Sequence, residues 1–369
     1  MRKAVIILPT FNEAGSIDKL IRGIFESTKS VTNWEINVLV VDSKSTDETG
    51  SIVMKLIKSY PKLHLLKVEK EGLGKAYIQG FKTALEKLTP YLIFEMDADM
   101  SHDPKEIPVF LAAVEQGSDF VIGSRYIKGG SIPENWAFRR KLYSIGANLV
   151  IRWGFMKQNI TDWTSGYRAI KAWIVKSAID HIKNYSGYVF QVAFLDYAVK
   201  NNARISEIPI NFKDRKSGKS KINSFQYIVQ TFLYVFLHST FIRYVIVGFI
   251  GFGVDFGVSY LFIDVWHKTL WLGTLVSTES AIISNFILNN YWSFAHKRLE
   301  HKGPVLALNF LKFNLVSSGG ILIQTIGITI LASVFGRNLW VVYKVLIITL
   351  IIIPYSYFMY NKFIWKDKR

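Results

Sequence analysis

The sequence of 369 residues contains no cysteine, and its acidic residues are few. Without cysteine the chain can have no disulfide framework, no thiolate nucleophile and no cysteine-based zinc site. The 28 Asp and Glu residues stand against 45 Lys and Arg residues, which gives a formal net charge of +17. This excess indicates an anionic partner, for which nucleic acid, anionic lipid headgroups and phosphorylated substrates are the candidates.

Long hydrophobic runs are missing from the first 223 residues, where short apolar runs alternate with amphipathic segments. The apolar runs and amphipathic segments occupy residues 4–8, 17–25, 36–41, 51–60 and 91–95. This alternation is the pattern of βαβ units, and runs without polar alternation are typical of parallel strands covered on both faces. We therefore predict an α/β domain with a mostly parallel sheet, whose ligands bind beyond the carboxyl ends of the strands.

Charged residues become scarce beyond residue 240. Four apolar segments, each long enough to cross about 30 Å of hydrocarbon as a helix, lie at residues 241–266, 270–294, 305–335 and 339–364. The loop between the second and third segments carries Lys297, Arg298 and Lys302, whereas each of the other two loops carries one Lys or Arg. By the positive-inside rule, we predict an integral membrane protein with four spans and with both chain ends in the cytoplasm.

Residues 224–240 join these two parts. The segment is rich in Phe and Tyr but is interrupted by Gln226, Gln230 and His238. Such a pattern fits a helix lying in the membrane interface, and it fits an ordinary buried helix equally well. We therefore divide the chain into an α/β domain of residues 1–223, an interfacial helical linker of residues 224–240 and an all-α membrane domain of residues 241–369.

Two acidic residues follow the apolar run at residues 91–95. Because side chains alternate along an extended chain, Asp97 and Asp99 should face one side, with Ala98 opposed. Hard divalent cations prefer oxygen ligands, so this pair could hold Mg²⁺ or Mn²⁺ against a diphosphate. An Asp-x-Asp sequence alone is more often a solvated loop or a helix N-cap. The interpretation therefore depends on the surrounding residues.

Those surroundings contain a series of further motifs. Pro9-Thr10-Phe11-Asn12-Glu13 follows the first predicted strand, and after it come, in order, Gly72-Leu73-Gly74, Asp97-Ala98-Asp99-Met100-Ser101-His102-Asp103-Pro104, Gly123-Ser124-Arg125-Tyr126, Arg140-Lys141-Leu142, Thr164-Ser165-Gly166-Tyr167, Gly187-Tyr188-Val189-Phe190-Gln191, Glu207-Ile208-Pro209-Ile210 and Arg215-Lys216-Ser217-Gly218-Lys219-Ser220-Lys221. In order and spacing, the first 221 residues or so resemble glycosyltransferase family 2, and within it the dolichyl-phosphate mannose synthases.

The resemblance implies a GT-A, Rossmann-like fold and an enzyme that transfers a hexose with inversion. Its expected donor is a nucleotide-sugar, first of all GDP-mannose, and its expected acceptor is dolichyl or polyprenyl phosphate at the cytoplasmic membrane face. In that family the acids at Asp97 and Asp99 face the sugar and the diphosphate, and Asp99 with the residue at Ser101 holds a divalent cation, Mg²⁺ or Mn²⁺. Asp97, Asp99 and Arg125 are the expected catalytic residues.

The resemblance also implies substrate contacts. The base and ribose would lie against Pro9, Phe11, Glu13, Val41, Asp42 and Ser43. Donor phosphates would be neutralised by Arg125, Arg215 and Lys221, and the acceptor phosphate would be received by Arg140 and Ser144; Ala98, Ser101 and Val189 complete the expected set. For the arginines, the alternative is a solvated face or contact with lipid headgroups.

Three positions depart from the family pattern. Ser43 stands where a second acid usually follows the residue at Asp42, which bears on the choice of nucleobase. Ser101 stands where some relatives have Gln, which bears on the affinity for metal. Ala193 stands two places after Gln191, where Glu is common, so the contact made by that Glu is missing or replaced.

The four predicted spans resemble the small GtrA-like membrane family at residues 241–251 and 284–294. Asp255 and Glu279 fall within these spans, where an ionisable group suggests a polar function. The alternative is polar packing between helices, with Asn285 or Asn289 as partners.

Other functions fit parts of the sequence. A polyprenyl-phosphate glucosyltransferase using UDP-glucose would share most of the motifs, and a non-catalytic lipid-linked sugar transporter or scaffold would keep only nucleotide binding. A processive polysaccharide synthase is disfavoured because Leu149 stands where the Gln of Gln-x-x-Arg-Trp should precede Arg152-Trp153. Nucleic-acid binding has only the net charge in its favour, because no groove-reading or RNA-binding motif accompanies it.

Overall fold

The computed structural model describes residues 1–185, 187–214, 224–299 and 303–366. The chain divides into two compact units, Met1–Val235 and Phe236–Arg369. Arg215 and Lys221, both predicted to contact substrate, lie outside the described residues.

The first unit contains a seven-stranded sheet. Its strands are β1 (Arg2–Thr10), β2 (Trp34–Asp42), β3 (Leu63–Lys67), β4 (Leu92–Glu95), β5 (Phe120–Ser124), β6 (Arg168–Lys171) and β7 (Ile205–Pro209). They lie in the order β3-β2-β1-β4-β6-β5-β7. Among the described strands only β6 pairs antiparallel, with β4 on one side and β5 on the other, so the prediction of a mostly parallel sheet is confirmed.

Helices cover both faces of this sheet, as the apolar strands require. The α-helices described up to residue 238 are α1 (Ile17–Ser27), α2 (Thr49–Ile57), α3 (Leu73–Thr83), α4 (Ile107–Glu115), α5 (Phe138–Phe155), α6 (Ala172–Ile182), α7 (Gly187–Lys200) and α8 (Ser224–His238). The spacing of apolar residues decides which helix face is buried. In α1, Ile17, Leu20, Ile21 and Ile24 are all buried at the i, i+3, i+4, i+7 spacing of an amphipathic helix.

The element predictions are confirmed with shifted ends. The predicted strands at residues 4–8, 36–41 and 91–95 are β1, β2 and β4, and the helical patterns at 17–25 and 51–60 are α1 and α2. β1 and β2 are each longer than the apolar run that predicts them, because pairing in register carries the ladder out to Thr10 and Asp42.

The helix α8 covers most of the predicted linker, and the boundary between the units falls within it. Thr231, Tyr234 and Val235 are buried, whereas Phe232 and Leu233 are exposed. The interfacial position of this segment stays a prediction.

The second unit is helical. Its elements are α9 (Thr240–Tyr260), α10 (Leu270–Leu288), α11 (Gly303–Phe335), α12 (Trp340–Ile347) and α13 (Ile353–Phe363). Within its described residues, four helical segments are long and apolar enough to cross a membrane: Thr240–Val265, Leu270–Ser293, Gly303–Phe335 and Val342–Phe363. The prediction of four spans is thus confirmed by length and composition.

Candidate active site

The order of the strands creates a crevice at the carboxyl edge of the sheet. β1 lies between β2 and β4, so the loops that follow these three parallel strands meet at one edge of the sheet, which is the usual place for a ligand in such sheets. Because β6 runs antiparallel, the segment before it, residues 162–167, reaches the same edge. The cavity there is lined by Leu73, Asp97, Asp99, Ser101, His102, Arg125, Arg140, Thr164, Ser165, Gly166, Gly187, Gln191, Phe212 and Asp214.

The acidic pair follows β4 directly. Asp97 and Asp99 both line the cavity, whereas Ala98 is buried in the hydrophobic core, as alternation along the chain predicts. The turn after them places Met100 at a φ of 67° and brings the backbone N–H of Ser101 to the Asp99 carboxylate, to which it donates at 3.0 Å. The carboxylate of Asp99 is therefore fixed by its own loop.

His102 holds the backbone of the loop that carries the acidic pair. Its Nδ1 accepts a hydrogen bond from the backbone N–H of Asp97 at 3.0 Å, and its ring stacks on Tyr167 with centroids 4.7 Å apart. Burial lowers the pKa of His102 to about 4, so the ring is neutral near pH 7 and carries its proton on Nε2. No role was predicted for His102, although the residue lies inside the motif that contains Asp97 and Asp99.

Arg125 follows β5 and is held by a buried carboxylate. Its Nε and one terminal nitrogen, Nη2, donate to the two oxygens of Asp162, each at 2.7 Å, and Nη2 also donates to Thr164 at 2.8 Å. Burial by itself raises the pKa of Asp162, but the guanidinium of Arg125 holds that pKa below its usual range. This fork fixes the plane of the Arg125 side chain at the cavity wall. Asp162 was not predicted from the sequence, although it stands two residues before the Thr164-Ser165-Gly166-Tyr167 motif.

A second buried pair lies beneath the cavity. Glu95, the last residue of β4, and Arg168, the first residue of β6, are both fully buried, with Nε of Arg168 3.9 Å from the Glu95 carboxylate. Arg168 also donates to the carbonyl oxygens of Gln191 and Trp163 at 2.8 and 2.9 Å. Burial raises the pKa of Glu95 to about 7, and Arg168 opposes that rise. The pair ties β4 and β6 to the helix α7.

The residues predicted to hold the nucleotide lie at the ends of β1 and β2 and on the loops that follow them. Pairing in register sets Pro9 opposite Val41 and Thr10 opposite Asp42. Val41, Asp42 and Ser43 are buried, and Pro9, Phe11 and Glu13 are half-buried. The structure therefore brings these six predicted residues to one stretch of the sheet edge.

Both oxygens of the Asp42 carboxylate accept hydrogen bonds from neighbouring residues. Thr10 donates to Oδ1 at 3.1 Å, the Ser45 hydroxyl donates to the same oxygen, and the Ser45 backbone N–H donates to Oδ2 at 3.2 Å. Asp42 thus organises the loop after β2. On the neighbouring loop, the ammonium of Lys70 lies 3.5 Å from the centroid of the Phe11 ring.

The predicted acceptor residues Arg140 and Ser144 lie on α5. Arg140 lines the cavity, donates to Asp214 at 3.2 Å and lies 3.8 Å above the Trp136 ring. The Ser144 hydroxyl is hydrogen-bonded to the hydroxyl of Tyr126 at 2.5 Å, and Ser144 is not among the described residues that line the cavity. Val189 is buried on α7, where Gly187 and Gln191 line the cavity instead.

The predicted metal ligands, Asp99 and Ser101, lie next to each other in the loop after β4. Within the part of the chain that the structure describes, no group of three or more His, Cys, Asp or Glu side chains is arranged to hold a metal ion. Mg²⁺ commonly takes only one or two carboxylates and completes its shell with water and substrate phosphates. The hydroxyl of Ser101 is buried and has no hydrogen-bond partner among the described residues, and it adjoins Asp99. The donor set therefore fits a divalent cation that is completed by a diphosphate.

Carboxylates and a fixed arginine at the carboxyl edge of an α/β sheet suit the transfer of a group carried on a diphosphate. This combination is that of the GT-A class of glycosyltransferases. The chain belongs to glycosyl transferase family 2, whose model matches residues 5–182. A second model, the GtrA/DPMS transmembrane domain, matches residues 243–365. The two resemblances drawn from the sequence are confirmed, and the chain is a glycosyltransferase and an integral membrane protein.

Three curated proteins illustrate the similarity. The dolichol-phosphate mannosyltransferase of Pyrococcus furiosus is 31% identical over 333 residues, which cover 88% of this chain and 89% of that protein. The polyprenol monophosphomannose synthase of Mycolicibacterium smegmatis is 34% identical over 60% of this chain and 82% of its own length. The undecaprenyl-phosphate mannosyltransferase of Micrococcus luteus is 38% identical over 60% of this chain and 88% of its own length.

Proposed function

We propose that this protein transfers mannose from GDP-mannose to a polyprenyl phosphate, dolichyl or undecaprenyl, with inversion at the anomeric carbon. The observation that carries the proposal is the match across both domains to a protein named dolichol-phosphate mannosyltransferase. The carboxylate pair in the cavity supports it, because two acids beside a fixed arginine suit a donor diphosphate.

The donor would lie with its diphosphate between Asp99 and Arg125. Asp99 and Ser101 would hold a divalent cation, whose chemistry is to neutralise the charge that develops on the leaving diphosphate. Arg125, fixed by Asp162, would give a second positive group aimed at a phosphate oxygen. Because this arginine is already oriented, little reorganisation is needed when the leaving group takes up charge.

The acceptor phosphate needs little help from a general base. A lipid phosphate is anionic near neutral pH, so a phosphate oxygen can attack the anomeric carbon while the bond from that carbon to the donor diphosphate breaks. GDP leaves with the electron pair, and attack from the opposite face inverts the configuration. Arg140, which is half-exposed on α5 at the cavity, would hold the acceptor phosphate. Positioning and leaving-group stabilisation then account for most of the catalysis.

The membrane orientation belongs to the same proposal. Lys297 and Arg298 follow the second span, and Lys362 and Lys366 stand at the end of the fourth. Basic residues favour the cytoplasmic side. We therefore place the catalytic unit and both chain ends in the cytoplasm.

One assay tests the proposed reaction. The purified full chain is incubated with undecaprenyl phosphate or dolichyl phosphate and with GDP-mannose, UDP-glucose or UDP-N-acetylglucosamine, in Mg²⁺, in Mn²⁺ or in EDTA. We expect a lipid-linked mannose from GDP-mannose that depends on metal and a β-linkage by NMR. If UDP-glucose gives product and GDP-mannose does not, the donor is UDP-glucose and not GDP-mannose. Binding of a donor without formation of product would favour a non-catalytic scaffold.

A further inference from the structure

The helix α5 carries a stripe of large apolar side chains on its exposed side. Five of them follow one another at i, i+4, i+7, i+11 and i+15, so they share one face of the helix. Each is between 43% and 77% exposed, and they are Phe138, Leu142, Ile145, Leu149 and Trp153. A helix that only covers a sheet has polar residues on its outer face. The stripe therefore indicates a surface that some further apolar body covers.

A different face of α5 packs against the rest of the first unit. Asn148, Ile151 and Phe155 are buried there, and Oδ1 of Asn148 accepts a hydrogen bond from the backbone N–H of Trp163 at 2.7 Å. These contacts hold the helix in the fold and leave the stripe outside the core. Exchanges of single residues within the stripe should therefore leave the fold intact.

Basic residues border the stripe on both sides. α5 contains three arginines and one lysine and no acidic residue. At about 3.6 residues per turn, Lys141 and Arg152 fall on one side of the stripe and Arg139 on the other. This is the arrangement of a helix that lies in a membrane interface, where the apolar face enters the acyl region and long basic side chains reach the phosphates. Trp153, at the end of the stripe, also favours that region.

The chain itself keeps α5 close to the membrane. The ring of Phe155 packs edge-on against Tyr234 of α8, with centroids 6.3 Å apart, and a Cβ at Gly154 would collide with the side chain of Val235. The first span begins at Thr240, five residues after Val235, so this span starts no farther than about 18 Å from the contact. The end of α5 is thus tethered within reach of a bilayer.

A second copy of this chain is the other body that would cover an apolar stripe. A symmetric contact between two α5 helices would bring their basic borders together with no acidic residue of either helix to pair them, and like charges repel. A bilayer offers acyl chains to the stripe and phosphates to its borders. The charges of α5 therefore favour lipid over a second copy.

We propose that α5 lies in the membrane interface, with its stripe against the acyl chains and with Arg139, Lys141 and Arg152 at the lipid phosphates. The catalytic unit would then be held on the bilayer by a surface of its own, in addition to its covalent link to the first span. The cavity, which Arg140 of the same helix lines, would open close to the lipid surface.

The experiment measures contact between α5 and lipid by fluorescence quenching. The chain contains no cysteine, so a single introduced cysteine can be labelled alone. Leu149→Cys is labelled with bimane in the purified full chain, in nanodiscs of phosphatidylcholine and phosphatidylglycerol that hold one copy, with and without nitroxide-labelled phosphatidylcholine. Met54→Cys is the matched control, because Met54 is an exposed apolar residue of α2. Ile145→Glu and Ile145→Met, each combined with Leu149→Cys, change the polarity of the stripe one helical turn away from the label.

We expect the label at Leu149 to emit at shorter wavelength than the label at Met54 and to lose most of its fluorescence when nitroxide lipid is present. Ile145→Glu should reduce this quenching, and Ile145→Met should retain it. Equal quenching at Leu149 and Met54 would overturn the proposal, and so would equal quenching in Ile145→Glu and Ile145→Met. A blue shift without quenching that appears only in discs with two copies would assign the stripe to a contact between copies and would also overturn it. Since no sugar transfer is measured, the result is independent of the proposed function.

Discussion

Asp97 and His102 contact each other twice. The backbone N–H of Asp97 donates to Nδ1 of His102 at 3.0 Å, and Nε2 of the same ring lies 3.9 Å from the Asp97 carboxylate. Because burial lowers the pKa of His102 to about 4, the contact at Nε2 is one between a neutral ring and a carboxylate and not an ion pair. His102 is therefore a positioning residue, which holds the backbone of Asp97 by a hydrogen bond and lies beside its carboxylate.

Two substitutions separate the hydrogen bond of His102 from its packing. His102→Phe keeps an aromatic ring against Tyr167 but leaves the Asp97 N–H without its acceptor, which costs about 1–3 kcal/mol. His102→Asn offers an acceptor near the position of Nδ1 but loses the ring. We expect His102→Phe to lower kcat more than it raises KM, and His102→Asn to retain more of kcat. Equal kcat in both variants would argue against the positioning role.

Asp99→Asn tests the acid that adjoins Ser101. In the wild type the Ser101 N–H donates to the Asp99 carboxylate at 3.0 Å. The side-chain amide oxygen of the variant can still accept this hydrogen bond, so the loop should keep its shape. Loss of the negative charge should lower turnover by at least about 10²–10³-fold, the effect of removing one charge-stabilising group, while the melting temperature stays close to that of the wild type. Asp180→Asn, at an exposed carboxylate of α6, is the matched control. Near-normal turnover of Asp99→Asn would exclude this residue from catalysis.

The pair of Arg125 and Asp162 should contribute to stability as well as to activity. The side chain of Asp162 is fully buried and that of Arg125 is 7% exposed, so removal of one partner leaves a buried charge. Asp162→Asn should lower the free energy of unfolding by about 3–5 kcal/mol. The double variant Arg125→Gln/Asp162→Asn should recover part of that loss, because neither charge remains. Denaturant unfolding followed by tryptophan fluorescence measures the cycle, and strictly additive losses would contradict the coupling.

Glu106 should make stability depend on pH. Burial raises the pKa of Glu106 to about 7 from an ordinary value of 4.5, against the hydrogen bond that Oε1 accepts from the Asn211 N–H. The folded state therefore binds more protons than the unfolded state between about pH 4.5 and 7. Stability that is fully present below pH 4.5 should be lost as the pH rises through 7.

Glu106→Gln keeps the acceptor and removes the titration. The apparent melting temperature of the variant minus that of the wild type should increase as the pH is raised from about 5 to about 8. Above that pH the difference should change little. Glu86→Gln, at an exposed glutamate in the turn after α3, is the control for loss of one glutamate. Parallel melting profiles for Glu106→Gln and the wild type would contradict the assigned pKa.

The parts of the fold that depend on local sequence could be predicted, and those that depend on distant pairing could not. Asp97 and Asp99 follow an apolar strand, and alternation alone places them on one side. Asp162 and Arg168 reach the same edge only because β6 enters the sheet antiparallel between β4 and β5. Neither residue carries a local signal of that placement, so the anchor of Arg125 was missed.

The spans were predictable for a similar reason, since length and hydropathy are local properties. Their contacts are not, because they depend on which faces meet. Glu279 is exposed on α10, whereas Asp255 accepts a hydrogen bond from the buried Ser277 at 2.7 Å. Of the two readings of Asp255 that the sequence left open, this contact favours polar packing between helices, with Ser277 rather than an asparagine as partner.

The first two spans meet closely at Gly251, which gives a test of their packing. A Cβ at Gly251 would collide with the carboxamide of Asn285 on α10, whereas a Cβ at Gly253 would meet nothing within 4 Å. We expect Gly251→Ala to lower the apparent melting temperature in detergent, because Asn285 must move. Gly253→Ala should leave it unchanged or raise it slightly, since Ala is the better helix former by about 1 kcal/mol. The double variant Gly251→Ala/Asn285→Ala removes the obstructing group and should regain stability relative to Gly251→Ala. If both single glycine variants behave alike, close approach at Gly251 does not hold these two spans together.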